Sequence, residues 1–190
     1  MTKIKSAQFV KGAVGPDSIF NDMRPQIAFI GRSNVGKSSI INSLTGQNKL
    51  AKISSLPGRT REINLFLIND SFYLIDLPGY GYAKLPKDMR IEIEKLINWY
   101  LFLSGYEQKK IFLIIDAKVG PTKDDLEILQ AFREHNKNIV IVVNKIDKVK
   151  SSEKDKQIKK IKDSIGECKI ILCSTKSNIG IPSLLEELMQ

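Results

Sequence analysis

Apolar residues along the chain fall into two kinds of pattern. Gln26–Ile30, Ile111–Ile115 and Ile139–Val143 are short, nearly continuous apolar runs, as strands buried on both faces of a parallel sheet should be. Glu62–Ile68 and Phe72–Ile75 are rich in Ile, Leu and Phe, and the turn residues Asn69-Asp70-Ser71 between them predict a hairpin. A short strand is expected near Ala7–Val10 and another at Lys169–Cys173. Elsewhere the spacing is helical. Met89, Ile93, Leu96, Ile97, Tyr100 and Leu103 predict one amphipathic helix over Met89–Leu103. Pro121-Thr122 opens another, with Asp125 completing a capping box and Leu126, Leu129 and Phe132 on one face. Further helices are expected at Lys37–Leu44, at about Ser152–Ser164, and at about Ile181–Met189. This alternation predicts an α/β, doubly wound, mostly parallel sheet with one antiparallel hairpin pair and helices on both faces. Ligands of such sheets bind beyond the carboxyl ends of the strands, so the loops there carry the chemistry.

Composition narrows the class. The 190 residues are 42% hydrophobic, which suits a single domain, with residues 1–25 as an N-terminal strand and loop and 26–190 as the core. The charged share of 27% is ordinary, so disorder is not the default. No apolar run approaches the roughly 20 residues that cross a bilayer, and the first ten residues lack an apolar stretch of secretory length. Cys168 and Cys173 form no metal-binding spacing, and His135 is the sole histidine, so a disulfide scaffold and a zinc module are not expected. The expectation is a reduced, cytoplasmic protein without membrane insertion. Thirty basic against 21 acidic residues leave a net charge of +9, which favours a polyanionic partner.

Four loops then stand out, in order. Gly31-Arg32-Ser33-Asn34-Val35-Gly36-Lys37-Ser38 matches the phosphate-loop pattern at every fixed position, after a strand and opening a helix. Its backbone N–H groups and the helix N-terminus would cradle phosphates, Lys37 would reach the β- and γ-phosphates, and Ser38 would ligate Mg²⁺. Asp76-Leu77-Pro78-Gly79 follows the hairpin's second strand: Asp76 would hold Mg²⁺, usually through water, and the Gly79 N–H would meet a γ-phosphate. Asn144-Lys145-Ile146-Asp147 follows Ile139–Val143. The Asp147 carboxylate can accept two hydrogen bonds from guanine, and adenine offers no such pair. Asn144 and the Lys145 stem would shape the same pocket. Ser174-Thr175-Lys176 comes next, placed so that backbone N–H groups could meet the guanine carbonyl. Together these loops form the GTP-binding signature of a P-loop GTPase. The punctuated, polar segment Leu50–Arg61 has the character of a mobile switch loop, and Thr60 is its candidate for Mg²⁺ and γ-phosphate contact; the rival Thr45 lies too close to the first helix.

The chain resembles the EngB (YihA/YsxC) family of small bacterial GTPases. The resemblance is carried by residues 31–39 including Ser39, by Pro57-Gly58-Arg59-Thr60, and above all by Asp76-Leu77-Pro78-Gly79-Tyr80-Gly81-Tyr82-Ala83. It implies GTP and GDP binding, Mg²⁺ dependence, and a role in assembling the large ribosomal subunit, whose RNA and proteins would be the partner. It also implies a connection with normal cell division and septation. A monomer is expected.

Tyr80 stands where many GTPases place the glutamine that orients water, so slow intrinsic hydrolysis is expected, with Lys37, Thr60 and Gly79 as its principal groups. A ribosomal group would complete the site, or a K⁺ held partly by Asn34; alternatively Asn34 only braces the loop. Arg59 and Arg61 are open between cis arginine fingers and contacts with RNA or water. A scaffold that senses guanine nucleotide with negligible turnover is the second reading. The lysine-rich stretch Lys145–Lys162 is either a solvated helix or an RNA contact. Tyr80 and Tyr82, with Lys84, would stack on RNA if exposed, or pack in the core.

Overall fold

The structure, a computed structural model, describes residues 3–51, 62–81 and 85–190. In chain order its elements are β1 (Ala7–Ala13), β2 (Gln26–Gly31), α1 (Lys37–Thr45), β3 (Ile63–Ile68), β4 (Phe72–Asp76), α2 (Lys87–Asn98), β5 (Gln108–Asp116), α3 (Lys123–Glu134), β6 (Ile139–Asn144), α4 (Lys154–Ile165), β7 (Lys169–Leu172) and α5 (Ile181–Met189). The strands form one sheet in the order β1-β3-β4-β2-β5-β6-β7. From β4 to β7 neighbours run parallel. The hairpin pair β3–β4 is antiparallel, as its turn chemistry predicts, with Asn69 and Asp70 both at positive φ. β1 extends to Ala13 and adds itself antiparallel to β3 at the sheet edge.

Strand geometry sends successive side chains to opposite faces, and here both faces are apolar. From β2, β5 and β6, Ala28, Ile30, Leu113, Ile115, Ile141 and Val143 enter the layer under α2, α3 and α4. Their chain neighbours Ile27, Phe29, Phe112, Ile114, Val140 and Val142 enter the layer under α1 and α5. This double burial is the reason the runs show no polar alternation.

Three elements depart from the periodicity. The helix expected over Met89–Leu103 is α-helical only to Asn98, then passes through a π-turn at Trp99–Leu103, closed by the Ser104 N–H on the Trp99 carbonyl at 2.8 Å. The turn places Tyr100 in the core, donating its hydroxyl to Gln26 Oε1 at 2.8 Å, while Trp99 and Tyr106 ring Phe20. β5 begins at Gln108 rather than Ile111 because Lys110 is buried against α5, donating to Glu187 Oε1 at 2.6 Å and to the Glu187 carbonyl at 2.7 Å. Burial alone would raise the Glu187 carboxyl, but Lys110 and Lys169 outweigh it and hold the group below the ordinary carboxylate range. On α3 the capping box of Thr122 and Asp125 forms as expected, yet Leu126 stays 37% exposed while Asp125 is buried. The lysine-rich helix starts at Lys154, after a single 3₁₀ turn at Ser151–Glu153.

Candidate functional site

β2, β4, β5 and β6 end side by side, and Gly31, Asp76, Asp116 and Asn144 are their last residues. The parallel arrangement therefore delivers the first three loops to one edge. From Gly31 the chain turns through Asn34 at φ 63° and Gly36 at φ 101° before α1 begins at Lys37. A Cβ on Gly36 would lie 2.4 Å from Asn144 Nδ2, so only glycine fits. No side chain among the described residues caps α1, which leaves the N–H groups of its first turn, Lys37, Ser38 and Ser39 included, and its positive dipole end to whatever anion sits in the loop.

The charges around this loop lack counterparts. Burial lowers the Lys37 ammonium below the ordinary lysine range, and the nearby Asp76 carboxylate opposes that shift. Among the described residues no carboxylate stands within ion-pair distance of Lys37. Asp76, only 3% exposed, is raised by burial, with Lys37 and Ser38 opposing. Its Oδ2 accepts a long 3.4 Å contact from the Ser38 hydroxyl, and its Oδ1 is buried without a hydrogen-bond partner among the described residues. A half-buried cation with no ion-pair partner and an orphaned, buried carboxylate oxygen beside a hydroxyl are costly together. A phosphate and a hard, oxygen-seeking cation are the groups that would satisfy them.

The base-loop residues lie against the phosphate loop. Asn144, 1% exposed, donates from Nδ2 to the Val35 carbonyl at 2.8 Å. Lys145, at φ 62°, donates to the Asn34 carbonyl at 2.5 Å and to Asp116 Oδ2 at 2.8 Å. Asp147 accepts the Ser174 hydroxyl at Oδ1 at 2.6 Å and remains exposed. Ser174 is itself buried and paired through its N–H to the Ile179 carbonyl, with Thr175 and Lys176 following at the surface. The Ile146 N–H on the Cys173 carbonyl joins the two base loops. Phosphate loop, acid loop and base loops thus form one contiguous surface.

Known proteins resemble this chain in sequence and in fold. The model of the 50S ribosome-binding GTPase family matches residues 26–145, and that of the elongation factor Tu GTP-binding domain matches residues 107–190. A probable GTP-binding protein EngB from Clostridium kluyveri is 47% identical over 164 residues, covering 86% of this chain and 82% of its own. Another from Acholeplasma laidlawii is 43% identical, covering 97% and 96%. The chain belongs to the EngB family. Among solved structures, a probable GTP-binding protein EngB superposes with a TM-score of 0.72 at 27% identity, covering 86% of this chain and 96% of that one. Era in complex with MgGDPNP and nucleotides 1506–1542 of 16S ribosomal RNA superposes with a TM-score of 0.69 at 27% identity, covering 87% and 55%. This EngB-family chain is a guanine-nucleotide-binding protein and a GTP-hydrolysing enzyme with the P-loop GTPase fold.

Within this EngB-family site, Pro57, Gly58, Arg59, Thr60 and Arg61, together with Tyr82 and Lys84, lie outside the described residues. Leu77 and Pro78 are buried behind Asp76. Tyr80, which could have stacked on RNA had it been exposed, is 4% exposed and belongs to the core. Its hydroxyl donates to Asp125 Oδ1 at 2.5 Å, and its carbonyl accepts the Ser33 N–H at 3.0 Å. Arg32 pairs alongside it in a parallel bridge. Tyr80 therefore links the phosphate loop to the cap of α3. Burial, with the neighbouring Asp125 and Asp124 charges, pushes the Tyr80 phenol well above its ordinary range, so it stays a donor at any working pH. Tyr80→Phe removes one hydrogen bond to a buried carboxylate that keeps its two Thr122 bonds. We expect a stability loss of about 1.5–3 kcal/mol in chemical denaturation.

Two groups escape sequence reading. Asp116 holds Lys145 in place, and burial of its carboxyl is outweighed by Lys145 and by the Lys118 and Val119 N–H groups, leaving it below the ordinary range. Its signal, an acid at a strand end like Asp76, is present but common. Asp125 reads as a cap and nothing more. His135 ends α3 with its ring 4.7 Å from Phe102.

Proposed function

We propose that this EngB-family GTPase acts as a switch in assembly of the large ribosomal subunit, docking on the subunit or its precursor with GTP and leaving after hydrolysis, and is needed for normal cell division. It works as a cytoplasmic monomer. The observation that carries the nucleotide reading is the joint between loops: Asn144 on the Val35 carbonyl and Lys145 on the Asn34 carbonyl bring a base pocket at Asp147 to the loop of Lys37. The ribosomal reading rests on the matched family description and on the net charge of +9.

In this reading the loop residues Gly31, Arg32, Ser33, Asn34, Val35 and Gly36 shape the phosphate cradle, and Lys37 neutralises the terminal phosphates. Ser38 and Asp76, with Thr60, hold Mg²⁺; the orphaned Asp76 Oδ1 fits that role. Bound there, Mg²⁺ would neutralise the charge that builds on the β–γ bridging oxygen as the γ-phosphoryl group passes to water and GDP departs. The Gly79 N–H binds the γ-phosphate, and Asp147, oriented by Ser174, selects guanine. Ser39, Pro57, Gly58, Arg59, Leu77, Pro78, Thr175 and Lys176 line the nucleotide. Asn34 is exposed, so its side chain is free to share a K⁺ with the phosphates. Intrinsic hydrolysis is slow because Tyr80, at the position of a water-orienting glutamine, is spent on Asp125.

The test is phosphate release with and without large ribosomal subunits, alongside pelleting with subunits under GDP, a non-hydrolysable GTP analogue or no nucleotide. We expect turnover to rise at least 10-fold with subunits, and pelleting to depend on the analogue. Negligible turnover in both conditions would favour a nucleotide-sensing scaffold.

A further inference from the structure

Beside the base loops, one side of α4 and the loops after β5 and β6 line a concave surface of about 770 Å³. Lys118, Lys148, Lys150, Lys156, Lys159 and Lys160 line it. Two acids, Glu153 and Asp163, accompany them, so the groove holds a net +4 of the chain's +9. All six lysines are exposed, and among the described residues none forms an ion pair within 4 Å. The frame beneath them is fixed. Gln157 donates to the Ala117 carbonyl at 2.8 Å, tying α4 to the loop after β5, and the Lys118 N–H is held by Asp116 at 2.9 Å. Six like charges gathered unpaired on a rigid concave frame repel one another, and a polyanion relieves that repulsion.

We infer that this groove binds the phosphate backbone of structured RNA; the inference rests on the ribosomal reading above and names its contact surface. Shape and lining choose among polyanions. α4 turns Ile158, Ile161 and Ile165 towards the core, and among the described residues no large exposed apolar side chain lines the groove for insertion into a lipid surface. Among the described residues no aromatic lines it either, and these offer no platform for stacking unpaired bases. Lys156 and Lys160, one helical turn apart, stand about 6 Å from each other along the axis and meet successive phosphates. Such contacts position an RNA helix and read its shape rather than its sequence. The groove begins at Lys148, the residue after Asp147, so RNA seated there lies next to the base loop without using it.

The experiment compares the wild-type chain with K156Q/K159Q/K160Q, and with K87Q/K95Q on the exposed side of α2 as reference. Binding to a base-paired ribosomal RNA hairpin is followed by fluorescence anisotropy across a salt series. We expect the triple variant to bind at least 10-fold more weakly, with a log–log salt slope shallower by about 2. The reference variant, GDP affinity and the melting temperature should not change. A triple variant that binds the hairpin with wild-type affinity and slope overturns the inference. So does tighter wild-type binding to phosphatidylglycerol vesicles than to the hairpin. Subunit pelleting separates this from the broader reading. Wild-type protein that never pellets removes the ribosomal role, whereas loss of hairpin binding in the triple variant still establishes the groove.

Discussion

Asp147→Asn should weaken GDP binding by about 2–4 kcal/mol, roughly 30- to several-hundred-fold, while leaving the fold intact. In the proposed pocket the carboxylate accepts from two guanine donors, and charge-assisted hydrogen bonds contribute about 1.5–3 kcal/mol each. An asparagine keeps one acceptor but turns a donor towards the other guanine N–H, which leaves two donors facing each other. The same donor suits xanthine, which carries a carbonyl there, so xanthosine diphosphate should gain affinity as guanosine diphosphate loses it. The substitution also isolates recognition from folding. The Ser174 hydroxyl bond at Asp147 Oδ1 survives in an amide, and the residue is exposed. Calorimetry with GDP, XDP and ADP reads the outcome, and unchanged preference for guanine would remove Asp147 from the site.

Gly36→Ala should cost about 2–5 kcal/mol of stability and abolish tight nucleotide binding together. The backbone at Gly36 is left-handed at φ 101°, a conformation that costs an L-residue about 1–2 kcal/mol. The new methyl would also stand 2.4 Å from Asn144 Nδ2. That atom carries the buried bond to the Val35 carbonyl, whose loss adds about 1–3 kcal/mol. One atom thus presses on the joint that holds the base loop to the phosphate loop. Gly46→Ala is the comparison. Gly46 is also left-handed, at φ 67°, but a Cβ there meets nothing within 4 Å. It should lower stability by the backbone term alone and spare GDP affinity. Melting temperature and GDP affinity measured on both variants check the pair, and equal effects at the two glycines would count against the joint.

Local patterns carried much of this protein. Buried strands announced themselves as unbroken apolar runs, the hairpin by Asn69-Asp70, and α3 by its capping box. Where the reading missed, a polar group was buried by a distant partner. Lys110 hides the start of β5 because Glu187 neutralises it, and Asp125 takes an inward position that Leu126 was expected to fill because Tyr80 bonds to it. The π-turn at Trp99 answers to the packing of Tyr100 and Phe20, which no spacing within α2 records.

By itself the sequence determined which residue types stand at each strand end and in what order the phosphate, acid and base loops follow, because these depend on contacts within a few residues. Only the tertiary structure decided that the loops touch. Asn144 reaches Val35 across 109 positions and Tyr80 reaches Asp125 across 45. Those meetings depend on β2 lying between β4 and β5, an order that burial on two faces selects and that no short segment encodes.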